Sequence, residues 1–174
     1  MLARNRMRDV TEHDALRRLS ELARELKAEH DVEFVLTRLL EEARVVTGAR
    51  YAAIGVLSKD RTRLERFLTL GVDEATQQAI GGPPRGRGVL GLLIEDPRPL
   101  RLSDVRGHPH RYGFPAGHPR MRTFLGVPIL YQGQAWGNLY LTDKEDGGDF
   151  TDVDERAAVG LAELAASVIA PDDP

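Results

Sequence analysis

Apolar residues recur at helical spacing in three stretches of the chain, two near its beginning and one at its end. In the first stretch they are leucines separated by charged residues, at Leu16, Leu19, Leu22 and Leu26. The second runs from Val35 to Val46 and stops at Gly48, a residue type that commonly follows the last turn of a helix. The third follows Thr151, with acidic residues in its first turn, where the helix dipole favours them. We therefore predict two amphipathic helices before the strands and one after them.

Shorter apolar or alternating runs between these helices predict strands. YAAIGVLS is apolar almost throughout, and RTRLERFLTLGV alternates around Leu64, Phe67 and Leu70. DEATQQAIGG and the run from about residue 87 to Pro97 predict short helices, and a short strand follows that ends near Leu102. TFLGVPILYQGQAWGNLYLTDK predicts a hairpin with strands over about 124–131 and 135–143 that turns at Gln132–Gly133.

The order of these elements predicts an α+β fold. Strands grouped between helices favour a central antiparallel sheet with helices packed on one face. Residues 103–123 show no periodicity and contain mainly Gly, Pro, His and Arg, and an irregular segment of this length inside a domain is usually functional or disordered. We expect this long loop and the short helices to cover the other face of the sheet and to enclose a ligand pocket there.

Composition narrows the chemistry available to this pocket. The 174 residues suit one domain, and a net charge of −3 gives no overall attraction to nucleic acid or to an anionic membrane. The absence of cysteine excludes disulfides, thiolate nucleophiles and cysteine-ligated zinc or iron–sulfur clusters, and it makes a cytoplasmic location the default expectation. No apolar run approaches the roughly 20 residues that span a bilayer.

No catalytic constellation stands out in the sequence. GRGVLG lacks the strand–turn–helix setting and the distant acidic residue of a dinucleotide site, and there is no Walker lysine. A Ser–His–Asp set cannot be assigned from spacing. We therefore expect a binding domain and not an enzyme.

The later part of the chain resembles a GAF domain. FLGVPILYQGQAWGNLYLTDK followed by FTDVDE carries the resemblance, which extends over most of the sequence. It implies an N-terminal helical extension over residues 1–31 and a GAF sensor domain over 32–170. It also implies that the chain forms a homodimer. The lack of cysteine departs from the GAF enzymes that reduce sulfoxides and from most bilin-binding photoreceptors.

A second motif is similar to the Asn-Lys…Phe…Asp-Glu signature of cyclic-nucleotide-binding GAF domains. It consists of Asp143-Lys144, Phe150 and Asp154-Glu155, with Asp143 in place of the asparagine. GAF domains that bind no nucleotide also keep these residues, as a structural pair between the lysine and the aspartate. We favour the structural interpretation, and cyclic-nucleotide binding stays open as an alternative.

A narrower resemblance concerns the loop before the hairpin. RGRGVLGLLIEDPRPLRLSD, HPRMRTFLGVP and GNLYLTDK are similar to the first GAF domain of actinobacterial dormancy-type haem sensor histidine kinases. In that family a histidine of this loop ligates the iron of haem b, and a tyrosine of the second hairpin strand hydrogen-bonds the iron-bound ligand. The matching residues are His118 and Tyr140, and Phe67 matches an aromatic that lines the haem pocket. The resemblance implies a sensor of O₂, NO, CO or redox state.

The residues themselves are compatible with a haem pocket, which needs one imidazole and an apolar slot. His118 stands in a stiff loop between Gly117 and Pro119. Tyr140 shares a strand face with Asn138 and Thr142, because side chains alternate along a strand. We expect the apolar lining of the pocket to include the side chains of Met121, Phe114, Ile54 and Phe67. Candidate partners for the haem propionates are Arg85, Arg87 and Arg122. In the same loop, His110 stays a competing candidate for the axial position beside His108.

Two functions therefore stay open. The first is a haem b sensor that signals through its terminal helices to a histidine kinase or another output module, in cis or in trans. The chain shows no phosphoacceptor or ATP-binding segment of a kinase. The second is a haem-free GAF module for interaction or dimerisation, whose pocket holds another small ligand such as a cyclic nucleotide, or nothing.

Overall fold

The computed structural model describes residues 11–80, 89–108 and 117–170. Its five strands are β1 Ala49–Leu57, β2 Leu64–Leu70, β3 Leu100–Leu102, β4 Phe124–Tyr131 and β5 Gln134–Lys144. They form one antiparallel sheet in the spatial order β2-β1-β5-β4-β3, so the longest strand, β5, lies in the centre. The helices are α1 Glu12–Leu26, α2 Val32–Thr47, α3 Glu74–Ile80, α4 Val89–Glu95 and α5 Asp152–Ile169. The predicted α+β fold class is confirmed.

The three long helices begin where the sequence supplies a capping side chain. Thr11 caps α1 and Asp31 caps α2, each by accepting a backbone N–H from the first turn. α2 ends at Gly48, whose φ of 70° lies in the left-handed region and closes the helix as predicted. Thr151 begins α5 with a capping box, in which its hydroxyl oxygen accepts the Asp154 N–H and the Asp154 carboxylate accepts the Thr151 N–H.

α1, α2 and α5 pack together on one face of the sheet and bury the main hydrophobic core. Residues paired across strands share a face, so Ile54, Leu139 and Val127 lie side by side on this face. α1 takes part in the core through Ala15 and Leu22, which are both 3% exposed. The first helix is thus docked against the domain.

The opposite face carries a smaller cluster, which we call the second-face cluster. Its buried members are Leu93 of α4, Phe124 of β4 and Tyr140 of β5. Partly buried side chains that pack against these three are Ala53, Phe67, Leu100, Leu102 and Val105. The expectation of helices on one face and of short elements with loop residues on the other is therefore met by the described residues.

The central hairpin turns at Gln132–Gly133, as predicted. Both turn residues have positive φ, 50° and 76°, which the tight two-residue turns of β-hairpins favour. The strands on either side match the predicted ranges to within a residue or two. Part of the loop that we expected to be irregular is a short 3₁₀ helix, Val105–Gly107. Among the described helices, none has the length and apolar character needed to cross a membrane.

Candidate ligand-binding site

Tyr140 lies at the centre of the second face, directly beside Asn138 on the same strand. The Asn138 Nδ2 donates a hydrogen bond of 3.0 Å to the Tyr140 hydroxyl oxygen. Both side chains are buried, Tyr140 at 4% exposure and Asn138 at 0%. Burial raises the pKa of the Tyr140 phenol above its ordinary value, and the hydrogen bond from Asn138 offsets only part of that rise. The hydroxyl group is therefore protonated at neutral pH.

Two phenylalanines flank the Tyr140 ring. The ring centroid of Phe67 lies 6.4 Å from that of Tyr140, and the ring centroid of Phe124 lies 6.2 Å from it, both in tilted arrangements. Such spacing is typical of aromatic pairs in protein cores. The sequence predicted Phe67 at this face. It did not identify Phe124, which reaches the face because β4 and β5 pair Phe124 with Thr142.

The segment that carries Met121 is fastened to the end of β5. Thr142 Oγ1 donates a hydrogen bond of 3.2 Å to the Met121 sulfur, which brings Met121 to the edge of the second face. The Asp143 Oδ1 accepts the backbone N–H groups of Arg122 and Thr123 at 2.8 and 3.0 Å. These contacts hold the last part of the long loop against the strand that bears Tyr140.

His118 lies three positions before Met121 in this fastened segment and is half-buried. Its Nδ1 is 2.8 Å from the backbone oxygen of Pro119. Since a carbonyl oxygen can only accept, Nδ1 carries a proton and donates it in this contact. Histidines that ligate metals through Nε2 commonly donate Nδ1–H to a backbone carbonyl in this way.

The structure does not bring every predicted residue to this site. Ile54 pairs with Leu139 and lies on the helix-covered face, 1% exposed in the main core, so it is separated from Tyr140 by the sheet. Arg122 donates to the backbone oxygens of Ser103 and Gly147 at 2.9 and 3.0 Å, which gives it a role in fastening loops together. Several candidates lie outside the described residues: Phe114, His110, Arg85 and Arg87.

Leu93 fills the middle of the second face. A Cβ placed on Gly126 would lie 2.5 Å from the Leu93 Cδ1 and 2.8 Å from the Phe124 ring, so the leucine lies almost on the backbone of β4. A cavity of about 180 Å³ lies beside the cluster, between α4 and β3. It is lined by Leu92, Leu93, Asp96, Arg98, Pro99 and Leu100. Pockets for drug-sized ligands usually measure about 300–1,000 Å³, so this cavity is small for such a ligand.

The residues of the nucleotide-type motif are engaged within the protein. Lys144 Nζ lies 2.8 Å from the Asp154 Oδ2, and the same oxygen accepts the Thr151 N–H at 2.8 Å. Phe150 is 6% exposed and belongs to the main core. These contacts support the structural interpretation of the motif. In the part of the chain that is described, no three His, Asp or Glu side chains are grouped to hold a metal ion.

Comparison with known proteins agrees with this architecture. A family model described as "GAF domain" matches residues 29–170. The GAF domain of a phosphoenolpyruvate-protein phosphotransferase from Coxiella burnetii is 23% identical in sequence and superposes with a TM-score of 0.79. The match covers 92% of this chain and 95% of that domain's chain. The corresponding domain from Acinetobacter is 20% identical, with a TM-score of 0.75, and the match covers 89% of this chain and 92% of that one. The free methionine-R-sulfoxide reductase of Neisseria meningitidis, solved in complex with its substrate, is 18% identical, with a TM-score of 0.72. This match covers 91% of this chain and 89% of the reductase chain. At these identities the three structures show a shared fold.

Proposed function

Because the chain belongs to the GAF domain family, we propose that it is a small-molecule sensor domain whose ligand binds at the second face. One observation carries the proposal: His118, whose Nδ1–H is held by a backbone carbonyl, stands on a loop that Met121 and Asp143 fasten to the strand bearing Tyr140. The other face of the sheet is covered by α1, α2 and α5, which bury the main hydrophobic core there. The second face is therefore where ligand chemistry concentrates.

Haem b is the ligand we propose, with His118 as its axial ligand. A bare metal ion would need several protein donors, and the described residues supply no such group, whereas haem brings four nitrogen ligands and needs a single imidazole from the protein. Phe67 and Met121 would supply apolar contact, and Tyr140 a protonated hydroxyl group. When bound, haem would supply an iron centre that responds to O₂, NO, CO or redox state.

The donor atoms fit haem, but the space for it must be created. Leu93 occupies the centre of the second face, and the neighbouring cavity is too small for a porphyrin. Haem binding therefore requires α4, which carries Leu93, to move outward from the sheet. α4 is short and contacts the sheet through few residues, so this movement leaves the main core intact.

We propose that output runs through the terminal helices. β5 carries Tyr140 in its middle and ends at Lys144, whose side chain binds Asp154 in the first turn of α5. A ligand that pushes on β5 would therefore change how α5 is held. In the proposed sensor, α5 and α1 pass this change to a second copy of the chain and to a kinase or another output module. The domain itself performs no catalysis in this proposal.

The haem-free alternative is favoured by one observation, the filled second face. A GAF module in which Leu93, Phe124 and Tyr140 simply form a small core would use its helices for interaction or dimerisation. Cyclic-nucleotide binding is less favoured, because Lys144 and Asp154 already bind each other and Phe150 is buried in the main core.

An ultraviolet–visible spectrum of the purified protein after haem supplementation tests the proposal. We expect a Soret band in the ferric protein that shifts on reduction with dithionite and again when carbon monoxide is added. Such shifts would establish a ligand-accessible haem. A protein that keeps no haem through gel filtration would remove haem from the proposal and leave the haem-free module. Titration with fluorescent cGMP tests the nucleotide alternative in parallel.

A further inference from the structure

We propose that Asn138 is a positioning residue that directs the Tyr140 hydroxyl proton toward the ligand, and that the two side chains form one polar recognition point. This inference rests on the proposed function, since it concerns the same face of the sheet. It adds a residue that neither the family signature nor the loop histidine identifies. It also specifies the ligand chemistry: a small molecule, or the water beside it, that accepts one hydrogen bond and donates another.

The hydrogen bond from Asn138 limits where the Tyr140 hydroxyl proton can point. Asn138 Nδ2 donates to the Tyr140 oxygen at 3.0 Å, so the tyrosine's own proton cannot point back along that line. Within the described residues, no side chain or backbone oxygen accepts this proton. The Asn138 amide thus leaves the hydroxyl proton available on the other side of the oxygen, for a ligand that accepts hydrogen bonds.

The oxygen at the other end of the Asn138 amide also lies in the protein interior. Asn138 Oδ1 is fully buried and has no hydrogen-bond partner among the described residues. Buried polar atoms are nearly always paired, because an unpaired one keeps the full cost of its lost hydration. A leucine of similar size would avoid this cost. An asparagine that leaves its oxygen unpaired beside Tyr140 therefore indicates a partner that arrives from outside the chain.

The unmatched hydroxyl proton of Tyr140 and the unpaired amide oxygen of Asn138 complement each other. Tyr140 offers a donor and Asn138 an acceptor, both on the face that also carries Phe67 and Phe124. Burial keeps the Tyr140 phenol protonated, which preserves the donor over the physiological pH range. Against an apolar surround, such a pair selects ligands that accept a hydrogen bond over isosteres that do not, because an unmatched buried donor is costly.

The test compares Asn138→Leu, Tyr140→Phe and the double variant. In the reduced, haem-supplemented protein under carbon monoxide, the C–O stretching frequency reports the donor near the ligand. We expect Asn138→Leu to shift this frequency in the wild-type background and to cause no further shift in the Tyr140→Phe background. An unchanged frequency in Asn138→Leu, or an equal shift in both backgrounds, would overturn the inference.

A second readout needs no haem. A purely structural asparagine would lower the melting temperature of the unloaded protein when replaced, whereas a residue kept for ligand recognition leaves it equal or higher in Asn138→Leu. Asn138→Ala, which cannot clash, checks that any loss does not come from the larger side chain. If the wild type binds no haem, the haem proposal fails, and this measurement alone decides the inference. A lower melting temperature in both variants would refute it, and an unchanged or higher one in Asn138→Leu would support recognition of another polar ligand.

Discussion

Lys144 and Asp154 form an ion pair, with 2.8 Å between Nζ and Oδ2, that joins the last residue of β5 to the first turn of α5. The side chains are only 14% and 7% exposed, so water screens the pair weakly. Asp154 Oδ2 also accepts the Thr151 N–H, so one carboxylate both caps α5 and binds the lysine at the end of the hairpin. The pair is thus a direct polar link between the strand that bears Tyr140 and a terminal helix.

Lys144→Met should lower the free energy of unfolding, because it leaves the Asp154 carboxylate buried without its cation. Removing one partner of a buried pair costs about 3–5 kcal/mol, and we expect the lower end because the lysine is partly exposed. Urea denaturation measures the loss. Arg17→Met is the matched control: its pair with Glu21 is over half exposed, so its loss should be about 0.5 kcal/mol or less. Equal free energies of unfolding for the two variants would contradict a stabilising role of the Lys144–Asp154 pair.

His118→Ala should abolish stable haem uptake and leave the fold intact. The side chain is half-buried and lies outside both hydrophobic clusters, so its loss should leave their packing intact. His30→Ala is the control, since the His30 Nδ1 makes a similar local contact with the Ala28 oxygen at 2.9 Å in an exposed turn. Soret absorbance after gel filtration measures uptake, and circular dichroism checks the fold. Full haem content in His118→Ala would exclude it as the axial ligand.

Leu93 and Gly126 should be energetically coupled. Leu93→Ala removes a side chain that is 1% exposed and should cost about 2–5 kcal/mol of stability. Gly126→Ala introduces a Cβ that would lie 2.5 Å from Leu93 and should cost about 1–3 kcal/mol through overpacking. The double variant should lose less than the sum of the two, because the smaller side chain makes room for the new methyl group.

The same substitution tests whether α4 must move. Leu93→Ala should accelerate haem uptake in a stopped-flow experiment, since it empties part of the space that a porphyrin needs. Leu22→Ala is a suitable control, because it creates a cavity in the main core on the other face. Equal uptake rates for Leu93→Ala and the wild type would show that Leu93 does not limit entry.

Local patterns predicted most of the fold. Capping residues, leucine spacing and the Gln132–Gly133 turn act within a few residues, and the described helices and hairpin follow them closely. The face of Tyr140 was predictable for the same reason, because alternation within β5 depends on that strand alone. Ile54 was misplaced because β1 is apolar on both faces. In such a strand, hydrophobicity does not tell which side chains point toward the helices.

Phe124 was missed because of a bulge. If the strand pairing that starts at the two-residue turn Gln132–Gly133 continued without interruption, Phe124 would pair with Leu141. The Phe124 side chain would then face the helices. Trp136 is an extra residue between the pairs Leu130–Ala135 and Ile129–Gly137, and this shifts the register by one. Phe124 therefore pairs with Thr142 and faces Tyr140. One inserted residue changed the face of a strand, and no periodic signal in the sequence marks it.

Asp143 should tolerate asparagine but not alanine. Its φ of 53° lies in the left-handed region, which Asn and Asp enter more easily than other side chains, and its Oδ1 accepts two backbone N–H groups. Asp143→Asn keeps both features and should change stability by about 0.5 kcal/mol or less. Asp143→Ala should cost about 2–4 kcal/mol from strain and lost hydrogen bonds. Hydrogen exchange of the Arg122 and Thr123 amides should accelerate only in the alanine variant, and equal rates in both would refute the anchoring role.

Tyr140 should make stability fall at alkaline pH. Its phenol has a raised pKa in the folded protein because burial disfavours the anion, while in the unfolded chain it ionises at a pKa of about 10. The unfolded state therefore releases this proton first. The stabilisation is complete below pH about 10 and is lost as the pH rises from there toward the folded-state pKa.

Tyr140→Phe removes the ionisable group, so its stability relative to the wild type should improve steadily above that pH. Tyr51→Phe, at a half-buried position on β1, is the control variant. Urea denaturation at a series of pH values measures both, and parallel curves for Tyr140→Phe and the wild type would show that the buried phenol does not control the alkaline loss.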